Sequence, residues 1–160
     1  MQDDKEGIIR RASYIVEDVE VTASFYEKLF GWTRFYDNKT TVDYRFPPCA
    51  PDGTLAHIII LKADDPYIGM VGFMEYDQFS ATEKINKERR CLGVGDTINV
   101  IEVNDIDAVY ERAKKLGARL VSAPVDWSVT DYSGKGVIKL ATFSFFDANG
   151  LYFEVNSRRN

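Results

Sequence analysis

The chain has 160 residues, 45% of them hydrophobic and 13% aromatic, with 20 Lys and Arg against 25 Asp and Glu for a net charge of -5. That length fits one domain able to bury about two-thirds of its unfolded surface, and the acidic balance excludes nucleic-acid or anionic-membrane partners, which require a concentrated excess of Lys and Arg. No apolar run reaches the ~18 residues of a membrane span, and no basic-then-apolar leader is visible; two cysteines without CxxC spacing, Cys49 and Cys91, predict free thiols in a cytoplasmic protein.

In chain order, an apolar, β-branched run over residues 8–16 predicts a first strand. Asp18 is placed to cap a helix, its carboxylate accepting from orphan amides, with Glu20 favourable in the first turn. Val21, Phe25 and Leu29 recur at four-residue spacing, widened by Tyr26 and Phe30, and predict the stripe that packs on a sheet before the helix stops at Gly31. Strands are then expected over 33–36, 41–46, 56–61 and 69–76, separated by Asp37-Asn38, Pro47-Pro48, Pro51-Asp52-Gly53 and Asp64-Asp65-Pro66. Residues 77–96 read as a connection, helical in composition at the middle. Lys84, Lys87, Arg89 and Arg90 alternate there with Glu83 and Glu88, predicting a solvated face.

The pattern then begins again. A strand over 97–103 leads to Asp105 as a second cap, and Ile106, Val109, Tyr110, Ala113 and Leu116 form a helical stripe ending at Gly117. Strands follow over 119–122, 125–131, 137–146 and 151–156, with Ser133-Gly134 and Asn149-Gly150 as turns. Val16-Glu17-Asp18-Val19-Glu20 itself returns as Val103-Asn104-Asp105-Ile106-Asp107, an offset of 87 positions. Neither half suffices for an independent domain. The chain therefore reads as a single α+β domain over 1–160, with a first strand-helix-three-strand module at 8–76, a connection at 77–96 and a second module at 97–158.

Three stretches carry a resemblance. They are DVEVTASFYEKLFG at 18–31, DIDAVYERAKKLG at 105–117, and the closing run from Phe145 through Asp147-Ala148-Asn149-Gly150 to Glu154. Together they resemble the vicinal oxygen chelate superfamily, which groups glyoxalase I, bleomycin-resistance proteins and extradiol dioxygenases. The resemblance implies two βαβββ modules whose cupped mixed sheets enclose a pocket, usually in a homodimer. In metal-using members it implies four ligands, typically two His or Gln and two Glu, from the first and last strands of the modules. Glu154, seven residues after Asp147, matches one of those positions, and Glu75 is the expected counterpart in the first module. Seven residues before the capping aspartates, where a histidine would stand, are Arg11 and Ile98. Neither ligates: the guanidinium stays protonated and the alkyl chain has no lone pair. A shift of two residues along the first strands offers Ile9 or Ser13, and Asp96 or Val100, of which only Asp96 is a good ligand.

Two carboxylates without imidazoles make a poor first-row transition-metal site, so neither a metal nor another cofactor is expected. One reading is a metal-independent protein that binds a small aromatic or carboxylated molecule in the pocket. Arg11 would pair with Glu75 or Glu154 or grip a ligand carboxylate, and Phe73 and Tyr152, placed by strand alternation beside the two glutamates, would form walls. Trp32, Trp127, Tyr44 and Phe153 are further aromatic candidates. The alternative is a glyoxalase-like lyase or isomerase in which Glu75 and Glu154 move protons and Arg11 steadies an oxyanion; a misread register would instead leave a metal-dependent lyase or dioxygenase. His57, the only histidine, precedes Ile58-Ile59-Ile60, and is either a pocket base or a structural side chain in a half-buried strand. Cys49 lacks a neighbouring base or helix start to activate it. Nucleotide-loop, hydrolase-elbow and zinc-protease patterns do not occur.

Overall fold

A computed structural model describes residues 7–77, 86–131 and 133–159. The chain divides into two compact units, Met1–Glu83 and Lys84–Asn160.

In the first unit β1 (Arg11–Ile15) leads into α1 (Val19–Phe30), followed by β2 (Thr33–Thr41), β3 (Leu55–Lys62) and β4 (Met70–Tyr76). The sheet order is β1-β4-β3-β2, with β1 parallel to β4 and the other pairs antiparallel. The helix supplies the crossover that a parallel pair requires. Asp18 caps α1 as predicted, its Oδ1 accepting from the Val21 amide at 2.8 Å, and Gly31 ends it at φ +73°. That left-handed conformation suits glycine because it has no Cβ.

The buried stripe of α1 is Val19, Thr22, Ala23, Tyr26 and Leu29, while Val21 is 62% exposed. Tyr26 and Leu29 of the expected stripe are buried and Phe25 and Phe30 half-buried, whereas Val21 lies on an apolar edge that the sheet does not cover. Tyr26 stacks on Phe73 of β4, centroids 5.2 Å apart. Both are fully buried, and each contributes on the order of 1.5–3 kcal/mol by leaving water.

Two further expectations change. Asp37-Asn38 does not break the chain but lies inside β2, where Asp37 is bonded to Arg34 and His57. Residues 42–54 form turns rather than a strand, and Val42, Phe46, Cys49 and Ala50 pack on Ala56, Ile58, Met74 and Tyr76.

The second unit repeats the plan with β5 (Ile98–Glu102), α2 (Ile106–Lys115), β6 (Arg119–Leu120), β7 (Val125–Thr130), β8 (Val137–Phe146) and β9 (Tyr152–Arg158). The order is β5-β9-β8-β6, and β7 also pairs with β8. β6 and β7 are thus one edge strand in two pieces, interrupted near Pro124, which has no amide proton for a ladder. Asp105 caps α2 through the Ala108 amide at 3.0 Å, and Ile106, Val109 and Ala113 are its buried residues. Tyr110 meets Phe143 edge-on, and Phe145 stacks on Phe153 at 5.4 Å.

Of the connection, residues 78–85, including Glu83 and Lys84, lie outside the described residues. Arg89 is not on a solvated face. Its guanidinium donates to the Gly150 carbonyl at 3.0 and 2.8 Å and pairs with Asp96 at 2.6 Å. Arg119 in turn donates to the carbonyls of Lys87 and Arg89, so this part of the connection is tied to the second unit.

Candidate functional site

In each unit the helix covers one sheet face, and alternation along the strands assigns each side chain to a face. The other face, which no helix covers among the described residues, is termed the open face, although Ile60, Met70 and Met74 on it are buried in the first unit and Ser144 and Phe146 in the second. In the first unit the helix face holds Phe73, which stacks on Tyr26, and Glu75, whose Oε2 accepts from the Val19 amide at 2.9 Å. These two share a face, as expected, but it is the face that α1 covers. Glu75 therefore caps the start of the helix, where amide donors and the dipole favour a carboxylate.

His57 pairs in register with Glu75 and lies on the same face. Its Nε2 is 2.7 Å from Asp37 Oδ1 and 3.9 Å from Glu20, so the carboxylate partner not visible in the sequence comes from β2. Arg34 binds the same carboxylates, reaching Glu20 at 2.8 Å, Glu27 at 3.1 Å and Asp37 at 2.5 Å. The bond from His57, followed by that from Arg34, holds the Asp37 carboxyl below its ordinary range, and Arg34 does the same for Glu20. Glu20, Asp37 and His57 place one ligand atom each within 4.8 Å of one another. The guanidinium already pairs with both acids, so a divalent ion would have to compete with it.

The open face of the first unit carries Arg11 and Ser13 on β1, Gly72 on β4 and Ile60 on β3. Among the described residues Arg11 makes no hydrogen bond or ion pair, and it lies across the sheet from Glu75, so the expected Arg11–Glu75 pair does not form. A Cβ on Gly72 would stand 2.6 Å from Ser13 Oγ and 3.3 Å from Ser13 Cβ. Further along this face, residues 42–54 lie on Met74 and Tyr76. Cys49 is there, donating to the Pro47 carbonyl at 3.3 Å, and burial, followed by the bond to Cys49, pushes the Tyr76 phenol up.

The open face of the second unit carries Glu154. On β9 it stands between Tyr152 and Asn156, paired with Ser144 of β8 and Val100 of β5. Tyr152, part-exposed, meets the buried Phe146 edge-on at 5.2 Å. Trp127 of β7 is on the same face, and its Nε1 donates to Thr142 Oγ1 at 2.6 Å. Thr142 is bonded to Asn156 Oδ1, and Asn156 Nδ2 donates to Glu154 Oε1 at 3.0 Å. Neither Thr142 nor Asn156 is among the residues that the sequence singles out. The signal was available as polar residues at two-residue spacing, Thr142 with Ser144 and Glu154 with Asn156.

The repeat also identifies which positions correspond. By the 87-residue offset Ser13 matches Val100; Ser13 pairs with Gly72, and Val100 pairs with Glu154. The counterpart of Glu154 is therefore Gly72, not Glu75. Glu75 instead corresponds to Ser157, which likewise sits at its helix start and donates to the Asn104 carbonyl at 3.2 Å. Of the four positions that would hold a metal, the chain offers Arg11, Gly72, Ile98 and Glu154. One carboxylate does not make a transition-metal site, and these residues do not fit the ion.

Comparison with known proteins agrees with this architecture. The sequence model described as Glyoxalase/Bleomycin resistance protein/Dioxygenase superfamily matches residues 8–155. A glyoxalase family protein from Bacillus cereus superposes with a TM-score of 0.78 at 16% identity, over 100% of this chain and 99% of that one. The fosfomycin resistance protein FosX from Mesorhizobium loti gives 0.55 at 19% identity, over 94% and 90%. TioX from Micromonospora sp. gives 0.51 at 15%, over 96% and 100%. No curated protein sequence matches the chain. At such identities the structural likeness speaks for the fold alone, while the sequence match spans most of the chain. With its two mixed sheets and α+β modules, the chain belongs to the Glyoxalase/Bleomycin resistance protein/Dioxygenase superfamily.

Proposed function

We propose that the protein binds a small aromatic or carboxylated molecule on the open faces of its sheets without using a metal. The observation that carries this is the pairing of Ser13 with Gly72 where Val100 pairs with Glu154, which leaves the first half with no carboxylate at the family's ligand position. The residues that remain on the open faces suit binding. Arg11 is a cation without an intramolecular partner among the described residues, able to grip a carboxylate in two-point fashion. Tyr152 and Trp127 provide ring surfaces in the second unit.

The lyase or isomerase reading loses one of its two proton-transfer groups, because Glu75 is engaged by the Val19 amide. Of the family's ligand positions, Glu154 alone keeps a carboxylate. Among the described residues no helix is long and apolar enough to cross a membrane. The reading is completed by a cytoplasmic homodimer, supported by free thiols at Cys49 and Cys91 and by the family's usual assembly.

The test is a thermal-shift and calorimetric screen of aromatic acids and amines against the wild type, Arg11→Ala and Tyr152→Ala. Saturable binding weakened by either substitution is expected. Binding indifferent to both would remove the open faces from the account.

A further inference from the structure

Glu154 is the last member of a polar chain that crosses three strands, and the chemistry of its first member fixes the direction of the whole. An indole N–H only donates. Because Trp127 Nε1 donates to Thr142 Oγ1 at 2.6 Å, that oxygen acts as acceptor and the hydroxyl proton is left to point at Asn156 Oδ1. The amide oxygen is thereby occupied, so the NH2 group is the end that reaches Glu154 Oε1 at 3.0 Å. Turning the amide over would aim two donors at the threonine oxygen and set the amide oxygen against the carboxylate. Each donor in such a series polarises the next. The chain ends on the carboxylate, with Oε1 filled; among the described residues Oε2 has no hydrogen bond or ion pair.

We propose that Trp127, Thr142 and Asn156 are positioning residues that hold Glu154 as an oriented carboxylate, presenting Oε2 to a ligand carrying a hydrogen-bond donor, an ammonium or hydroxyl, beside an aromatic ring. This rests on the open face being a small-molecule site and narrows what that face accepts. Glu154 is part-exposed, and its neighbour across β8 is the small Ser144. Tyr152 lies two residues along the same strand on the same face, so one ring stands beside the acid, and Trp127 stands at the far end of the chain. A ligand carboxylate at Oε2 would meet the Glu154 charge directly and is disfavoured there; the Arg89 and Arg119 guanidiniums lie further along, over the Phe146 ring.

The side-chain N–H signal of Trp127, distinguished from that of Trp32 by Trp127→Phe, reads the chain directly in a nitrogen-proton correlation spectrum. Thr142→Val, which keeps volume, and Asn156→Leu are both expected to shift it upfield. Glu154→Leu should do so from three bonds away, whereas Glu154→Gln should restore it because its amide oxygen still accepts from Asn156. Benzylamine should perturb the same signal, with affinity falling about tenfold, the scale of one charge-assisted hydrogen bond, in both Glu154→Gln and Thr142→Val. A Trp127 signal indifferent to Asn156→Leu and Glu154→Leu would overturn the positioning chain. Perturbation by benzoate in place of benzylamine would overturn the donor requirement while keeping the face as a binding site. An intact chain with response to neither probe would overturn the ligand assignment together with the small-molecule reading of this face.

Discussion

Replacing Glu75 by alanine separates a helix cap from a site residue. The Oε2–Val19 contact is a part-buried bond of 2.9 Å to the first helical residue of α1. A hydrogen bond to a charged group contributes about 1.5–3 kcal/mol, and solvent access at this half-buried carboxylate moves the expectation toward the lower end. The favourable charge at the helix start adds about 0.3–1 kcal/mol. Asp18 continues to cap through Val21, so α1 frays without being lost, and the net expectation is a loss of about 2 kcal/mol. For a chain of this size that lowers the thermal midpoint by about 4–8 °C, measured by circular dichroism at neutral pH. Glu75→Gln keeps an acceptor and should recover more than half of the loss. Affinity for any ligand of the open faces should stay within about twofold, well under the tenfold that 1.4 kcal/mol represents. An unchanged midpoint with binding or turnover abolished would refute the helix-cap assignment and return Glu75 to the site.

Gly72→Ala should destabilise by about 1–3 kcal/mol through overpacking, and Ser13→Ala should relieve part of that loss in the double variant because it removes the Oγ standing 2.6 Å from the new carbon; denaturant titration of the four-member cycle measures the coupling. Phe73→Ala removes a fully buried ring stacked on Tyr26 and should cost about 3–5 kcal/mol, whereas Tyr152→Ala on the open face should cost less stability and more affinity. Asp37 has its carboxyl lowered by His57 and then Arg34, so its contribution is present above the ordinary aspartate value near 3.9 and is lost as pH falls through the lower folded value. Exposure limits that contribution to under about 1 kcal/mol. The stability gap between the wild type and Asp37→Asn should therefore be small at pH 6 and close below about pH 4, as read by urea unfolding across that range.

Much of this fold is legible in the chain because its strongest signals are local. Asp18 and Asp105 cap helices, Gly31 and Gly117 end them, and the second-unit strands follow the turn residues between them. Period-two alternation placed Phe73 with Glu75 and Tyr152 with Glu154, and both pairs do share faces. Alternation gives no sign of which face the helix covers; that depends on the crossover from β1 through α1 to β4. The counterpart of Glu154 was displaced from Gly72 to Glu75 for a related reason: it is defined by pairing across the sheet, and a glycine has no side chain to advertise a site. Asp37-Asn38 looked like a turn because its stabilisation comes from distant partners, Arg34 and His57, rather than from local bonds.

The account's central claim, that one surviving carboxylate leaves the open faces without a metal, is tested most directly by elemental mass spectrometry on the purified protein. The protein would be dialysed, then challenged in turn with manganese, iron, nickel and zinc. The account predicts substoichiometric retention of every metal, unchanged by Glu154→Ala. Near-stoichiometric retention of one metal, lost in Glu154→Ala and unaffected by His57→Ala, would contradict it.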